Sequence, residues 1–377
     1  MKAFEPFRSL LKKIADPRRD YGKIYELPDI MLISILAIVS GANTYRHIHT
    51  FMDAKLKQLN ELFNLNWDAA PAYTTIRYIL RRLNPAAVEP IFREHAGLLN
   101  DNIEIPGKKK LAIDGKVLRG SFDAFNDVRA RQILNIFDTI THLIIGHVEI
   151  DDKSNEIPAT QKFLSELGLA DHIITLDAMH CQKKTFEAAA DADAHLIVQV
   201  KGNQEKLHRA VQDTCESKKP LSVYRTTDSK RRNRHEERIV SVFDALPAVE
   251  GTEWEPNVKA LIMVDRHVQH FDTSTGQWEP SFERSFYLSN RSIDAKEAGR
   301  VIREHWGIEN KLHYTRDVTF GEDASRIRVN PGIFAQLRSF AYNIIQFNRH
   351  AMISFPQARF WAASVGIEGL AELDYVA

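Results

Sequence analysis

Two apolar runs in this 377-residue chain stop on an aspartate: "LAIDGK" on Asp114 and "IITLDAMH" on Asp177. A strand that is apolar up to a terminal carboxylate delivers it to the carboxyl edge of an α/β sheet, where such sheets place ligands. If the two strands are neighbours, the carboxylates face each other, and two like charges held close are costly unless a cation neutralises them. Hard oxygen ligands of this kind suit Mg²⁺ or Mn²⁺. A helix cap or a turn is the plain alternative for either aspartate taken alone.

A third acid is offered by "REHWGIENKLHYTRD", where a helical repeat sets His305, Glu309, His313 and Arg316 along one face at spacings of four, four and three. That face is too polar for a core, so Val301, Trp306 and Leu312 are expected to anchor the helix on the sheet. Asp317, Glu322 and Asp323 in "RDVTFGEDASR" compete for the same role, but Glu309 has basic neighbours one turn away on its own face. Zinc is disfavoured: the chain has no HExxH, and "HEER" at His235 lacks the second histidine.

The elements that must position these acids follow from periodicity. Residues 1–105 read as helices: "SLLKKIA", an apolar helix from Pro28 to Ser40, "TYRHIHTFMDAKLKQLNELFNL", "AYTTIRYILRRLN" and "NPAAVEPIFREHAGLLND". Pro106 and Gly107 break that texture, and residues 106–203 then run strand, strand, strand, helix, strand, helix, strand. That order predicts an α/β domain with a mixed sheet, its first three strands a meander and its later ones joined by parallel crossovers. Residues 204–290 read as a β-rich insertion after one helix, 291–350 as the returning helical part that carries Glu309, and 351–377 as a tail.

Fifty Lys and Arg balance fifty Asp and Glu, so the overall field signals no polyanionic partner and local charge has to be read instead. "RYILRRL", "SKRRNRHEER" and "KKIADPRRDYGK" are basic islands, each either a solvated face or an anion contact. Cys181 and Cys215 sit in no CxxC or Cys/His pattern, which points to a reduced, cytoplasmic compartment rather than a disulfide framework. The amino-terminal stretch lacks the apolar core of a secretory signal, and the run from Ile30 is shorter than the roughly 20 residues of a bilayer span, so a buried helix is expected there.

The motifs "AIDGK", "TLDAMH", "VKGNQ" and "HWGIENKLH", in this order, resemble the DDE transposases of bacterial insertion sequences, in particular the ISAs-type, or H-repeat-associated, branch. The resemblance runs from about Asp16 to Arg349, because "ADPRRDYGKIYELPDIMLISILAIVSGANTYRHI" is similar to that branch's amino-terminal helical segment. It implies a ribonuclease H-like catalytic domain whose acid triad carries over to Asp114, Asp177 and Glu309 as ligands of two Mg²⁺ or Mn²⁺ ions. Related transposases often pair the glutamate with Tyr, Arg and Lys; here those places hold Ile302, His305 and Arg316, so only Arg316 keeps a cation.

The implied activity is phosphodiester hydrolysis at an element's ends, followed by transesterification as the freed 3′-hydroxyl attacks target DNA, with no covalent enzyme intermediate. Lys116, Arg119, Lys201 and Arg316 are the candidate phosphate contacts. Thr74, Thr75 and Arg77 would meet base edges at the start of a recognition helix, with Arg81 and Arg82 on the backbone. Arg232 and Arg234 in the β-rich region would clamp DNA or help hold two active sites together. The partners are double-stranded DNA, as terminal inverted repeats and target, and a second copy of the chain, since two ends must be paired in one reaction. The alternatives are a decayed or repurposed DNA-binding protein and a metal-dependent nuclease that cuts without joining.

Overall fold

The computed structural model describes residues 4–19, 21, 23–104, 107–122, 125, 129–150, 155–166, 168–170, 172–231, 233–349 and 353–376. In chain order the elements are α1 (Glu5–Leu11), α2 (Leu27–Val39), α3 (Tyr45–Ala54), α4 (Leu56–Phe63), α5 (Tyr73–Leu80), α6 (Pro85–Asp101), β1 (Lys110–Val117), β2 (Gln132–Asp138) and β3 (Ile144–Ile150). There follow α7 (Glu156–Glu166), β4 (Ile173–Leu176), α8 (Lys183–Asp191), β5 (His195–Val200), α9 (Glu205–Ser217), β6 (Ser222–Arg231), β7 (Arg234–Asp244), α10 (Leu246–Val249), β8 (Ala260–Asp272) and β9 (Gln277–Ser289). The chain ends with α11 (Ala295–His305), a π-helical segment (Ile308–His313), α12 (Tyr314–Val318), α13 (Pro331–Asn348), α14 (Phe355–Ser364) and α15 (Gly366–Leu370). The strands form one mixed sheet in the order β3-β2-β1-β4-β5-β9-β8-β7-β6.

Two compact units divide the chain: residues 1–106, 114–156 and 307–377, and residues 107–113 and 157–306. In the first, α2 is apolar on every side, and all its residues except Pro28 are buried. A helix of that kind needs neighbours all round, and α1, α3 and α13 supply them. No helix among the described residues is long and apolar enough to cross a membrane. The long helix expected from Thr44 is two helices, broken at Lys55. The β2–β3 hairpin turns where Asp138 Oδ1 accepts from the amides of Ile140 (2.8 Å) and Thr141 (3.1 Å), an Asx turn completed by His142 at φ 59°.

The expected tail is part of this core. Arg359 on α14 donates to the carbonyls of Ile38 (2.9 Å) and Ala42 (3.3 Å) and so closes the carboxyl end of α2, whose last carbonyls have no helical partner. Tyr375 packs on Phe4 with ring centres 4.8 Å apart.

In the second unit Lys110–Ile113 of β1 pair in parallel with Ile173–Leu176 of β4, and β4 pairs in parallel with β5. Helices α7 and α8 fall between successive parallel strands, as the crossover reading requires. The β-rich stretch is a continuation of this sheet rather than a separate insertion: β9 pairs antiparallel with β5 from Phe286 to Ser289, and β8, β7 and β6 follow outward. The cause is in the residues themselves. Phe286, Tyr287, Leu288 and Ser289 are all buried, the mark of a strand covered on both faces, whereas Gln277–Arg284 of the same strand are exposed.

Candidate active site

Ile113 and Leu176 are the last rung paired between two parallel neighbours, and the next residue of each strand is an aspartate, Asp114 and Asp177. Strand β4 ends at that rung, whereas β1 runs on through Asp114 to Val117.

Asp177 opens a single 3-10 turn, Ala178–His180, and its Oδ1 accepts from the Ala178 amide at 2.7 Å. Its side chain stays half exposed, with Lys201 Nζ 3.9 Å away at the end of the adjacent strand β5. The "VKGNQ" motif holds that edge together: Asn203 Nδ2 donates to the Ala178 carbonyl (2.7 Å) and Gln204 Nε2 to that of Cys181 (2.9 Å). Two residues before Asp177, on the same face of β4, Thr175 Oγ1 lies 2.8 Å from His305 Nδ1 and 3.2 Å from the Leu111 carbonyl. The hydroxyl has one proton; given to Leu111, it leaves the oxygen to accept from a His305 Nδ1–H. Burial pushes His305 down to about 4, though Asp177 pulls the other way, and the imidazole is neutral at physiological pH. His305 is therefore a packed, oriented ring rather than a cation for phosphate, a role its place on a mixed polar face did not reveal.

Asp114 Oδ2 lies 3.5 Å from His313 Nδ1, and burial above all pushes that imidazole down to about 3, so the contact is not an ion pair near neutrality. Lys116 follows two residues later on the same strand face. It is 8% exposed, with Nζ 2.5 Å from Asp317 and 3.8 Å from Asp323. An ammonium enclosed by two carboxylates is a structural cation, which replaces its expected phosphate contact. Arg119 is the exposed one (79%), with its guanidinium 3.5 Å from Asp323. Gly120 beside it admits no side chain, since a Cβ there would sit 1.9 Å from the Ser325 carbonyl oxygen.

Arg316 is also corrected from a phosphate contact to a buried one. Its side chain is wholly enclosed and donates to Glu322 (2.7 Å), Asn135 (3.1 Å), Ser339 (3.2 Å) and the Ala335 carbonyl (3.3 Å). This use also removes Glu322 as a competing third acid, while Asp317 and Asp323 are engaged by Lys116.

The expected continuous helix around Glu309 is interrupted. Helix α11 stops at His305, and residues 308–313 take π geometry before α12 begins. A π turn advances by more residues per turn than an α turn, so the four, four, three spacing does not define a single face. Trp306 is 43% exposed, whereas Val301, Ile308 and Leu312 are buried. Glu309 is exposed on the first π turn. Among the described residues no three His, Cys, Asp or Glu side chains are gathered as a ready metal cage. Asp114 and Asp177 each offer carboxylate oxygens, the donor type that suits a divalent cation.

Helix α5 carries the remaining expected DNA contacts. Thr74, Arg77, Arg81 and Arg82 are exposed and Thr75 is half-buried. Arg234 belongs to an arginine cluster around Glu236, which also takes Arg238 (2.6 Å) and Arg266 (3.5 Å). Arg232 lies outside the described residues.

The chain belongs to the Transposase DDE domain family, which matches residues 105–344, and a DDE_Tnp_1-associated family matches residues 8–96. It is 31% identical over 339 residues to a protein of Escherichia coli O157:H7 named as transposase YncI, covering 87% of this chain and 84% of that one. It is 30% identical over 340 residues to a protein of Escherichia coli K12 named as H repeat-associated transposase YhhI, covering 88% of each.

Proposed function

We propose that the chain cuts DNA at the ends of an insertion sequence and joins the freed 3′-hydroxyl to target DNA, with Asp114, Asp177 and Glu309 as the acids that hold divalent metal. The observation that carries this reading is the register Ile113↔Leu176, after which each chain segment continues into an aspartate. The order β3-β2-β1-β4-β5, with β2 and β3 antiparallel and β1, β4 and β5 parallel, supports a ribonuclease H-like core. A pair of bound Mg²⁺ ions supplies an activated nucleophile and a stabilised leaving oxygen.

The protein's own side chains have separate tasks in this scheme. Asp114 would present its oxygens from within β1, Asp177 from the residue after β4, and Glu309 from the π segment. Lys201 and Arg119, both exposed, face the phosphates that flank the scissile bond. His305 and Thr175 fix the edge beside Asp177. A strand-transfer assay with labelled element ends and Mg²⁺ tests the whole: cut ends joined to target support the reading, cutting without joining reduces it to a nuclease, and binding alone to a DNA-binding protein.

The exposed cations that follow α5 make a second expectation. Replacing Arg81 and Arg82 together should weaken binding to an element end and flatten the plot of log affinity against log salt by up to about two counterions' worth. Cleavage at saturating protein should persist. Titrations at several salt concentrations check this, and an unchanged slope would remove α5 from the phosphate contacts.

A further inference from the structure

The first unit contains a cleft that shares Thr75 and Arg82 with the contacts above but has no assigned occupant. It measures about 670 Å³ and is formed by residues 17–19, 21 and 23–25 on one side and α5 with Arg82 on the other, with Arg18, Arg19, Tyr25, Tyr78 and Ile79 in its walls. Its volume is in the range of about 300–1,000 Å³ that encloses one small planar group.

Its base is built firmly. Arg18 is fixed by two bonds to Asp16 (3.0 and 2.7 Å) and one to the Tyr25 carbonyl (2.7 Å), and Tyr25 is braced edge-on against Trp67 at 5.0 Å. Arg19 and Arg82 are exposed, and neither has a carboxylate within ion-pair distance among the described residues. Tyr78 is 42% exposed, and the Arg82 guanidinium lies over its ring at 4.1 Å. An exposed large ring stacked with a guanidinium costs exposed apolar area and brings cations together, a combination suited to a ligand that is flat and anionic.

We propose that this cleft holds one unpaired DNA base, stacked on the Tyr78–Arg82 pair, with the adjoining phosphates facing Arg19 and Arg82. A paired base cannot enter a concave site, because its partner strand blocks the approach. The walls offer ring faces and guanidinium planes, so stacking, which tolerates any base, is the main mode of recognition. The inference rests on DNA being the partner and adds that the protein discriminates frayed or extended ends from fully paired ones.

The test compares a blunt duplex with the same duplex carrying a short unpaired extension that contains 2-aminopurine. The extension should tighten binding by roughly 5- to 150-fold, the range of one base stacked on an aromatic side chain, and the 2-aminopurine fluorescence should be quenched. Tyr78→Ala should erase both effects and leave blunt-duplex affinity near its original value, while Tyr78→Phe, which keeps the ring, should retain them. Should Tyr78→Ala fail to melt as the parent does, Arg19→Ala is read instead, with loss of the extension's advantage expected.

Equal affinity for the two duplexes overturns the inference and leaves the DNA reading standing; failure to bind either removes both. Deoxyadenosine monophosphate competing as well as the extended duplex would make the cleft a free-nucleotide site. A Tyr78→Ala variant that loses both duplexes equally would make Tyr78 an ordinary duplex contact. Either result sinks the proposal.

Discussion

Asp177→Asn is expected to abolish strand cleavage while the variant folds and binds DNA as before. Its present contacts explain why the fold should survive. Asp177 Oδ1 accepts one amide, from Ala178, and an asparagine carbonyl oxygen can accept the same bond. Lys201 is 3.9 Å away with both side chains about half exposed, a pair whose loss changes stability little. What asparagine cannot replace is the anionic oxygen that a divalent ion needs. Losing only an outer partner of a metal ligand costs about 10- to 100-fold, so losing a ligand should cost at least roughly 100-fold in cleavage rate. Binding at low salt should hold or tighten slightly, because one anion facing the phosphates has gone. Rates at saturating protein and titration of a labelled end separate the two effects. Cutting at the native rate would make Asp177 a cap of the 3-10 turn and nothing more.

The parts of this arrangement that were legible in the sequence are those governed by short-range pattern. Strands β4 and β5 are apolar runs with helical repeats between them, and a parallel register follows from that alternation. Asp114 and Asp177 were visible because each ends such a run. The long-range partners of a charge were not. Arg316 on a polar-looking helix reads as a DNA contact until Asn135, 181 residues away in sequence, and Ser339 close over it. The π segment leaves no compositional trace, since "IENKL" would serve an α-helix equally well. Two other differences did have signals. "SFYLS" lacks the alternation of a half-exposed strand and so marked β9 as sheet interior. "SFPQ" is a capping box, with Ser354 and Gln357 bonded reciprocally, and it announced a helix where a tail was expected.

Glu322→Ala should lower the stability of the whole protein by about 3–5 kcal/mol, the cost of leaving buried cations uncompensated. The carboxylate is completely enclosed, 2.7 Å from Arg316 and 3.8 Å from Arg338, and the Glu322 amide also donates to the Arg316 carbonyl at 3.0 Å. Burial alone would raise this carboxyl; Arg316 and Arg338 outweigh it and hold it below the ordinary glutamate range. A carboxylate with a depressed folded pKa contributes stability that is complete above its unfolded value, about 4.3, and is lost as pH falls through the folded one. The gap between the parent and Glu322→Ala should thus be full at neutral pH and shrink in acid. Replacing both partners, Arg316→Met with Glu322→Leu, should cost less than Glu322→Ala alone, because only Arg338, rather than two buried cations, is then left without its carboxylate. Denaturant unfolding at neutral and acid pH measures all of these. A loss under about 1 kcal/mol for Glu322→Ala, together with a lower salt slope for DNA binding in Arg316→Met, would mean that Arg316 leaves its enclosure to meet phosphate and that its burial is only one of two states.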